Sequence, residues 1–175
     1  MKKRIIEATL LAAAIAFAVP QLATAQGTGS AKFKKANQAG GVTAGGGRAV
    51  KGANGGFVGG HGVATDGQGN AAGGSAQAFK GANGAGARQG KFTRSADGSV
   101  QHDSGGAVAG AAGSASSSGS FVHGADGSAS GARNTNVDAN SGAAYDGSSE
   151  FEKGTGFSHT STCTNAEGQQ VPCTK

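Results

Sequence analysis

Four histidines, two cysteines and a short run of lysines are the residues in this chain with chemistry to offer. His61, His102, His123 and His159 lie near Asp66, Asp103 and Asp126 in sequence. Their spacings match no metal-ligand motif, and His102 and Asp103, as neighbours on a strand, would point to opposite faces. They read as solvated surface histidines, with a histidine ladder as the alternative if His61 and His123 share an edge. No G-x-S-x-G elbow occurs among the serines, so the strained turn that presents an α/β-hydrolase nucleophile is missing. The stretch Gly67-Gln-Gly-Asn-Ala-Ala approaches a dinucleotide loop but ends in Ala where the last Gly belongs, without a strand-then-helix context. Gly59-Gly60-His61-Gly62-Val63-Ala64 carries Ala where a calcium-binding nonapeptide places its ligand Asp. The chain is therefore expected to be no enzyme, with no catalytic residues, metal or cofactor. Lys32-Phe33-Lys34-Lys35 interleaves an aromatic with cations, as single-strand binders do. Four residues suffice only for a basic contact, so Lys32, Lys34 and Lys35 are candidate contacts to a polyanionic surface, and no specific nucleic acid is expected.

Cys163 and Cys173 enclose nine residues with a turn signal at Asn165 to Gly168. Neither the C-x-x-C of a redox pair nor the four ligands of structural zinc is present, so a disulfide closing a terminal hairpin is the expectation. That chemistry needs an oxidising compartment, and the first 25 residues supply the route. Lys2, Lys3 and Arg4 form a positive n-region, Thr9 to Val19 an apolar core, and Ala23-Thr24-Ala25 a small-x-small cleavage site. About 11 apolar residues are too few to span roughly 30 Å of hydrocarbon. Residues 1–25 read as a signal peptide of Gram-negative style, with Gln26 as the mature N-terminus and no membrane span afterwards. The expected location is extracellular or at the cell surface, with the periplasm as the alternative.

What must position these residues is an unusual chain. After Leu22 there is no Leu, Ile or Met, and Trp is absent throughout. From Gln26 to Lys175 the sizeable apolar side chains are seven Phe, nine Val and Tyr145. Such a share, about 11% Val plus Phe, falls below the roughly 20% at which disorder sets in, although low net charge argues the other way. An ordinary enzyme core is excluded. Order has to come from repetition or assembly.

Repetition is visible. Turn dipeptides recur at Asn54-Gly55, Asp66-Gly67, Asn83-Gly84, Asp97-Gly98, Ala112-Gly113, Asp126-Gly127, Asp146-Gly147 and Glu167-Gly168, each a predicted tight reversal between strands. Lys51-Gly-Ala-Asn-Gly returns at Lys80 after 29 residues, and Gly110-Ala-Ala-Gly opens a third copy. Val63, Phe92 and Phe121 keep the same 29-residue spacing, and Phe151 follows after 30. This predicts an all-β, Gly-rich repeat, either a flattened β-solenoid with Val63, Phe92, Phe121 and Phe151 stacked as an internal ladder, or an antiparallel β-meander. Small Gly, Ala and Ser would let two sheets approach closely. Helix is disfavoured by the frequent Gly; a largely disordered chain is the alternative. The expected organisation is a signal peptide over 1–25, a flexible basic arm over 26–47, the β-repeat over 48–160 and the disulfide-closed hairpin over 161–175.

Charge is divided along the chain. Residues 26–94 carry nine basic side chains against Asp66 alone, and residues 95–175 carry three basic against eight acidic. Opposite ends of such a chain attract, which favours head-to-tail self-association or pairing of the basic end with a polyanionic cell-surface component. The repeated Ala-Asn-Gly and Ala-Asp-Gly-Ser turns, with the terminal Cys-Thr-Asn-Ala-Glu-Gly…Pro-Cys loop, resemble glycine-rich, repeat-bearing secreted proteins of Gram-negative bacteria. A looser likeness is to two-sided repeat solenoids of the curli type, whose Gln/Asn ladder this chain lacks. The expected function is a secreted, non-enzymatic structural or surface-interaction protein: extracellular matrix, fibre subunit or adhesion factor. The alternative is a disordered basic-arm protein that binds polyanionic surfaces.

Overall fold

A computed structural model describes residues 27–173; the predicted signal peptide lies outside the described residues. The Gly-containing turn residues dictate the architecture. Each Ala-Asn-Gly or Ala-Ala-Gly reversal leaves two residues between strands, which forces the next strand to run antiparallel beside its predecessor. Eleven strands follow in simple succession: β1 (Gly27–Ala36), β2 (Val42–Gly52), β3 (Gly55–Thr65), β4 (Ala71–Gly81), β5 (Gly84–Arg94), β6 (Val100–Gly110), β7 (Gly113–His123), β8 (Ala129–Ala139), β9 (Ala144–Glu152), β10 (Gly156–Thr164) and β11 (Gln170–Val171). They form one open sheet in the order of the chain. The all-β expectation holds in its meander form, and the solenoid is set aside. Among the described residues no helix is long and apolar enough to cross a membrane.

The 29-residue repeat is one strand pair: two 11-residue strands, a two-residue turn at one end of the sheet and a five-residue turn at the other. At the two-residue end, Gly55, Gly84 and Gly113 open β3, β5 and β7 at φ of +151°, +154° and +143°. Gly40, Gly69, Gly98 and Gly127 take the fourth place of the five-residue turns, also at positive φ. No bulge interrupts the ladders from β1 to β10, so every residue has a direct cross-strand partner along most of the sheet.

Three expectations are corrected. The stretch 26–47, expected as a flexible arm, holds β1 and the start of β2; the register Phe33↔Gly45 and Lys34↔Ala44 ties it to the sheet. Asp146-Gly147 lies inside β9 and is no turn, because Asn140 to Ala143 supply the reversal instead, with Gly142 at φ +91°. Val63, Phe92, Phe121 and Phe151 do occupy one transverse row, Ala44–Val63–Gly73–Phe92–His102–Phe121–Gly131–Phe151–Phe157. They stand on alternate strands, about 9.6 Å apart at the usual strand spacing, rather than stacked on consecutive coils.

A single layer leaves no interior. Among the described residues no apolar side chain is fully buried, and the most enclosed polar side chain is Asp66, 8% exposed. Glycines take the place of a core by letting rings lie flat on the backbone. Phe33 faces Gly45, Phe79 faces Gly86, Phe92 faces Gly73 and Phe121 faces Gly131 in direct cross-strand register. A Cβ on Gly73 or Gly86 would lie 2.6 or 2.7 Å from the ring beside it. Covering a strand glycine with a cross-strand aromatic recovers apolar contact that the missing side chain forfeits. At the C-terminal edge, the predicted Cys163–Cys173 disulfide is present, with Cα atoms 5.3 Å apart. It holds β11 against Cys163 and Thr164 at one end of β10.

Candidate functional site

Because successive strand residues alternate faces and direct partners share one, the registers sort every strand side chain onto one of two faces. The first face carries Lys32, Lys34, Arg48, Arg88, Arg94 and Arg133, and all four histidines. It also carries Phe57, Phe79, Phe92, Phe121, Phe151, Phe157 and Tyr145. Among the described residues, no strand carboxylate points to this face. All four described arginines are here. The rings form two rows near the two ends of the strands, with a polar band between them that holds His61, Arg48, Gln77, Arg88, Ser117, Arg133, Ser149 and His159.

The second face is flatter and made mostly of small residues. Over β1 to β5 it presents mainly Gly and Ala, with Phe33, Val58, Lys35, Lys51, Lys80 and Lys91; over β6 to β10 it presents mainly Ser, Thr, Asn and Ala, with Val122, Asp103, Asp138, Asp146, Glu150 and Glu152. On this face the division along the chain sets base against acid, whereas the six strand cations of the other face, on β1, β2, β5 and β8, meet no strand carboxylate among the described residues. The predicted polyanion contacts are split accordingly: Lys32 and Lys34 join the cationic face, and Lys35 stands on the other.

The histidines do not converge. His61, His102 and His123 fall on β3, β6 and β7 in three different rows, so the ladder between His61 and His123 does not form. His102 and Asp103 point to opposite faces as expected. Among the described residues no three His, Cys, Asp or Glu side chains gather as a metal site. One arrangement was not foreseen: His159 Nδ1 lies 2.9 Å from the Ser149 hydroxyl, and its Nε2 lies 3.4 Å from the Tyr145 hydroxyl. The pair is cross-strand in direct register, a relation visible only once strand ends are known. The second ring nitrogen thus faces a phenol rather than a carboxylate, since the carboxylates of β9 point to the other face.

Two of the four guanidinium groups on the cationic face are held in place by neutral partners. Arg88 Nε donates to Gln77 Oε1 at 2.9 Å and Arg133 donates to the Ser117 hydroxyl at 3.0 Å. These bonds fix position without neutralising charge, and both exposed forks keep further N–H donors. The rings beside them are substantially open, with Phe79 50% and Phe157 70% exposed.

The five-residue turns carry their own carboxylates. Asp66 Oδ1 accepts from the amides of Gln68 (2.8 Å) and Asn70 (3.1 Å), and its other oxygen accepts from the Asn70 side chain. Asp97 accepts from the amide and hydroxyl of Ser99, and Asp126 from the Ser128 amide. The side chain of Asn70, then the Gln68 amide, holds the Asp66 carboxyl below its ordinary value. The Ser99 and Ser128 hydroxyls and amides do the same for Asp97 and Asp126. A carboxyl that titrates lower when folded stabilises the fold above its unfolded value, near 3.9, and loses that contribution as pH falls through the lowered value. Thermal melts between pH 6 and pH 2 are therefore expected to hold steady down to about pH 4 and then to fall. A melting temperature that rises on acidification would contradict the turn assignment.

Compared with family models, curated proteins and solved structures, the chain matches none.

Proposed function

We propose that this chain is a secreted, non-enzymatic surface-interaction protein whose cationic, aromatic sheet face docks onto an extended polyanion of a cell surface or matrix. The observation that carries the reading is the segregation itself: four arginines, two lysines and seven rings share one face with no strand carboxylate among the described residues. Arginine forks match carboxylate, sulfate and phosphate groups bidentately, and open rings stack on sugar or base planes. A long, flat array of such groups suits a linear polymer better than a compact ligand. A second reading, a fibre subunit growing head to tail, has its own observation. The outer edges of β1 and of Gly156–Thr162 in β10 have no strand partner among the described residues, and the two would meet antiparallel.

The test is titration of the mature chain with heparin, polygalacturonate, dextran and oligo(dT) at two salt concentrations. Arg88→Gln with Arg133→Gln is expected to weaken heparin and polygalacturonate binding about tenfold or more per arginine, since charge-assisted hydrogen bonds are worth roughly 1.5–3 kcal/mol. The salt slope should shrink by about one unit per lost contact. Equal binding to neutral dextran, or a doubly substituted chain that binds as well as the original, overturns the reading. A strong preference for oligo(dT) transfers the face to single-stranded nucleic acid.

A further inference from the structure

The flat face raises a separate question, because a single layer of eleven strands with no interior leaves both faces exposed to water. We propose that a second copy of this chain covers the small-residue face, forming a two-fold dimer of stacked sheets with the cationic faces outward. The pattern of charge selects this occupant. On the flat face every strand base lies on β1, β2, β4 or β5, and every strand acid on β6, β8 or β9.

A two-fold axis parallel to the strands, passing between β5 and β6, keeps each row at its own height and reverses the strand order. It lays β5 over β6 of the partner copy, β4 over β7, β3 over β8, β2 over β9 and β1 over β10. The four lysines then come within one strand, in their own rows, of three of the five acids across the axis, while Asp146 and Glu150 lie over Ala49 and Gly45 of the partner copy. Lys91 lies over the partner copy's Asp103, which occupies the same row. Lys80 lies one strand from the partner copy's Asp138, again in its own row, and Lys51 shares that row. Lys35 lies one strand from the partner copy's Glu152 in a fourth matched pairing. The symmetry makes each pairing occur twice, as an isologous interface requires.

Between the charged rows the face is neutral and low. The central row reads Ala31, Gly47, Gly60, Ala76, Gln89, Gly105, Ser118, Asn134, Ser148, Thr160, so the two backbones can approach closely. Ten strands of about ten residues present about 1,600 Å² per partner at standard strand spacing and rise, where a stable interface needs about 800 Å². The opposite face is a poor self-partner. Its central band would bury Arg48, Arg88 and Arg133 against like charge with no carboxylate, and unpaired buried charge is costly.

A charge-swap experiment on the full mature chain decides the matter. Sedimentation equilibrium of the unaltered chain should show a dimer. Lys80→Glu with Lys91→Glu, and separately Asp103→Lys with Asp138→Lys, should each raise the dimer dissociation constant by about a hundredfold or more, because like charges then meet across the axis. Mixing the two altered chains should restore a one-to-one dimer, a rescue that a merely misfolded variant cannot give. Arg48→Glu with Arg88→Glu, on the other face, should leave the dimer unchanged. A monomer at all concentrations, a dimer indifferent to the lysine and aspartate reversals, or one abolished by the arginine reversals instead overturns the proposal.

Discussion

Alanine at Gly55, Gly84 or Gly113 is expected to cost more stability than any other single methyl group added to the strands. Each of these glycines opens a strand directly after a two-residue turn, at φ between +143° and +154°. A Cβ there would point into the next hairpin. It would lie 2.0 Å from the Lys80 carbonyl oxygen at Gly55, 2.4 Å from that of Ala109 at Gly84, and 2.1 Å from that of Asp138 at Gly113. The contact is with backbone, so no side chain can swing away. Strain at a positive φ contributes roughly 1–3 kcal/mol, and the displaced carbonyl loses ladder hydrogen bonds worth about 1 kcal/mol each. The expected penalty is thus about 3 kcal/mol or more, equivalent to roughly 6–12 °C in melting temperature for a chain of this size. Gly98→Ala is the control. Gly98 also has positive φ, +91°, but a Cβ there would meet nothing within 4 Å, so only the strain of about 1 kcal/mol remains. Urea midpoints for Gly55→Ala and Gly98→Ala that coincide would refute the close approach of successive hairpins.

These glycines also explain what could be read from the amino acids in advance. The Asn-Gly and Asp-Gly dipeptides set the repeat length, and the even recurrence of Val63, Phe92 and Phe121 put them in one row. Solenoid and meander share both properties, since a 29-residue unit can either coil onto its predecessor or fold out beside it. The distinction rests on the two-residue Ala-Asn-Gly link, too short for any crossover connection. Asn140 to Ala143 deceived the pattern for a local reason. Four residues replace two at that position, so the turn moves upstream and Asp146-Gly147 is left inside β9 with the Tyr145 ring over Gly147.

The two faces were illegible for a sharper reason. A register error of one residue exchanges the faces of an entire strand. The net charge of each half could be counted, but placing Lys34 and Lys35 on opposite sides required knowing that β1 pairs with β2 through Phe33↔Gly45. The division of arginine from most of the lysines followed only when all ten long strands had fixed parity. The low apolar content has the same explanation: one layer needs rings mainly along two rows of one face, and apart from Phe33 at one edge the other face is built mostly of small residues.

Replacing Phe92 and Phe121 together with Ser is the second large expected effect, and it separates folding from assembly. Each ring lies against a cross-strand glycine, Phe92 on Gly73 and Phe121 on Gly131, with ring atoms 2.6 and 3.2 Å from where a Cβ would stand. Loss of a fully buried Phe costs about 3–5 kcal/mol. These rings are only half covered, Phe121 being 41% exposed, so about 1.5 kcal/mol each is appropriate, or about 3 kcal/mol for the pair. Strand β6 stands between them and its His102 is the direct cross-strand partner of both rings, so the two are replaced together and read as one effect. The melting temperature should fall by roughly 6–12 °C, whereas Phe157→Ser, removing a ring 70% exposed near the edge, should shift it by a small fraction of that. An unchanged melt in the double variant would show that the aromatic row contributes nothing to the sheet. Because both rings stand on the cationic face, sedimentation of the folded double variant should match that of the original chain, and only a loss of dimer below its melting temperature would place the rings in the interface.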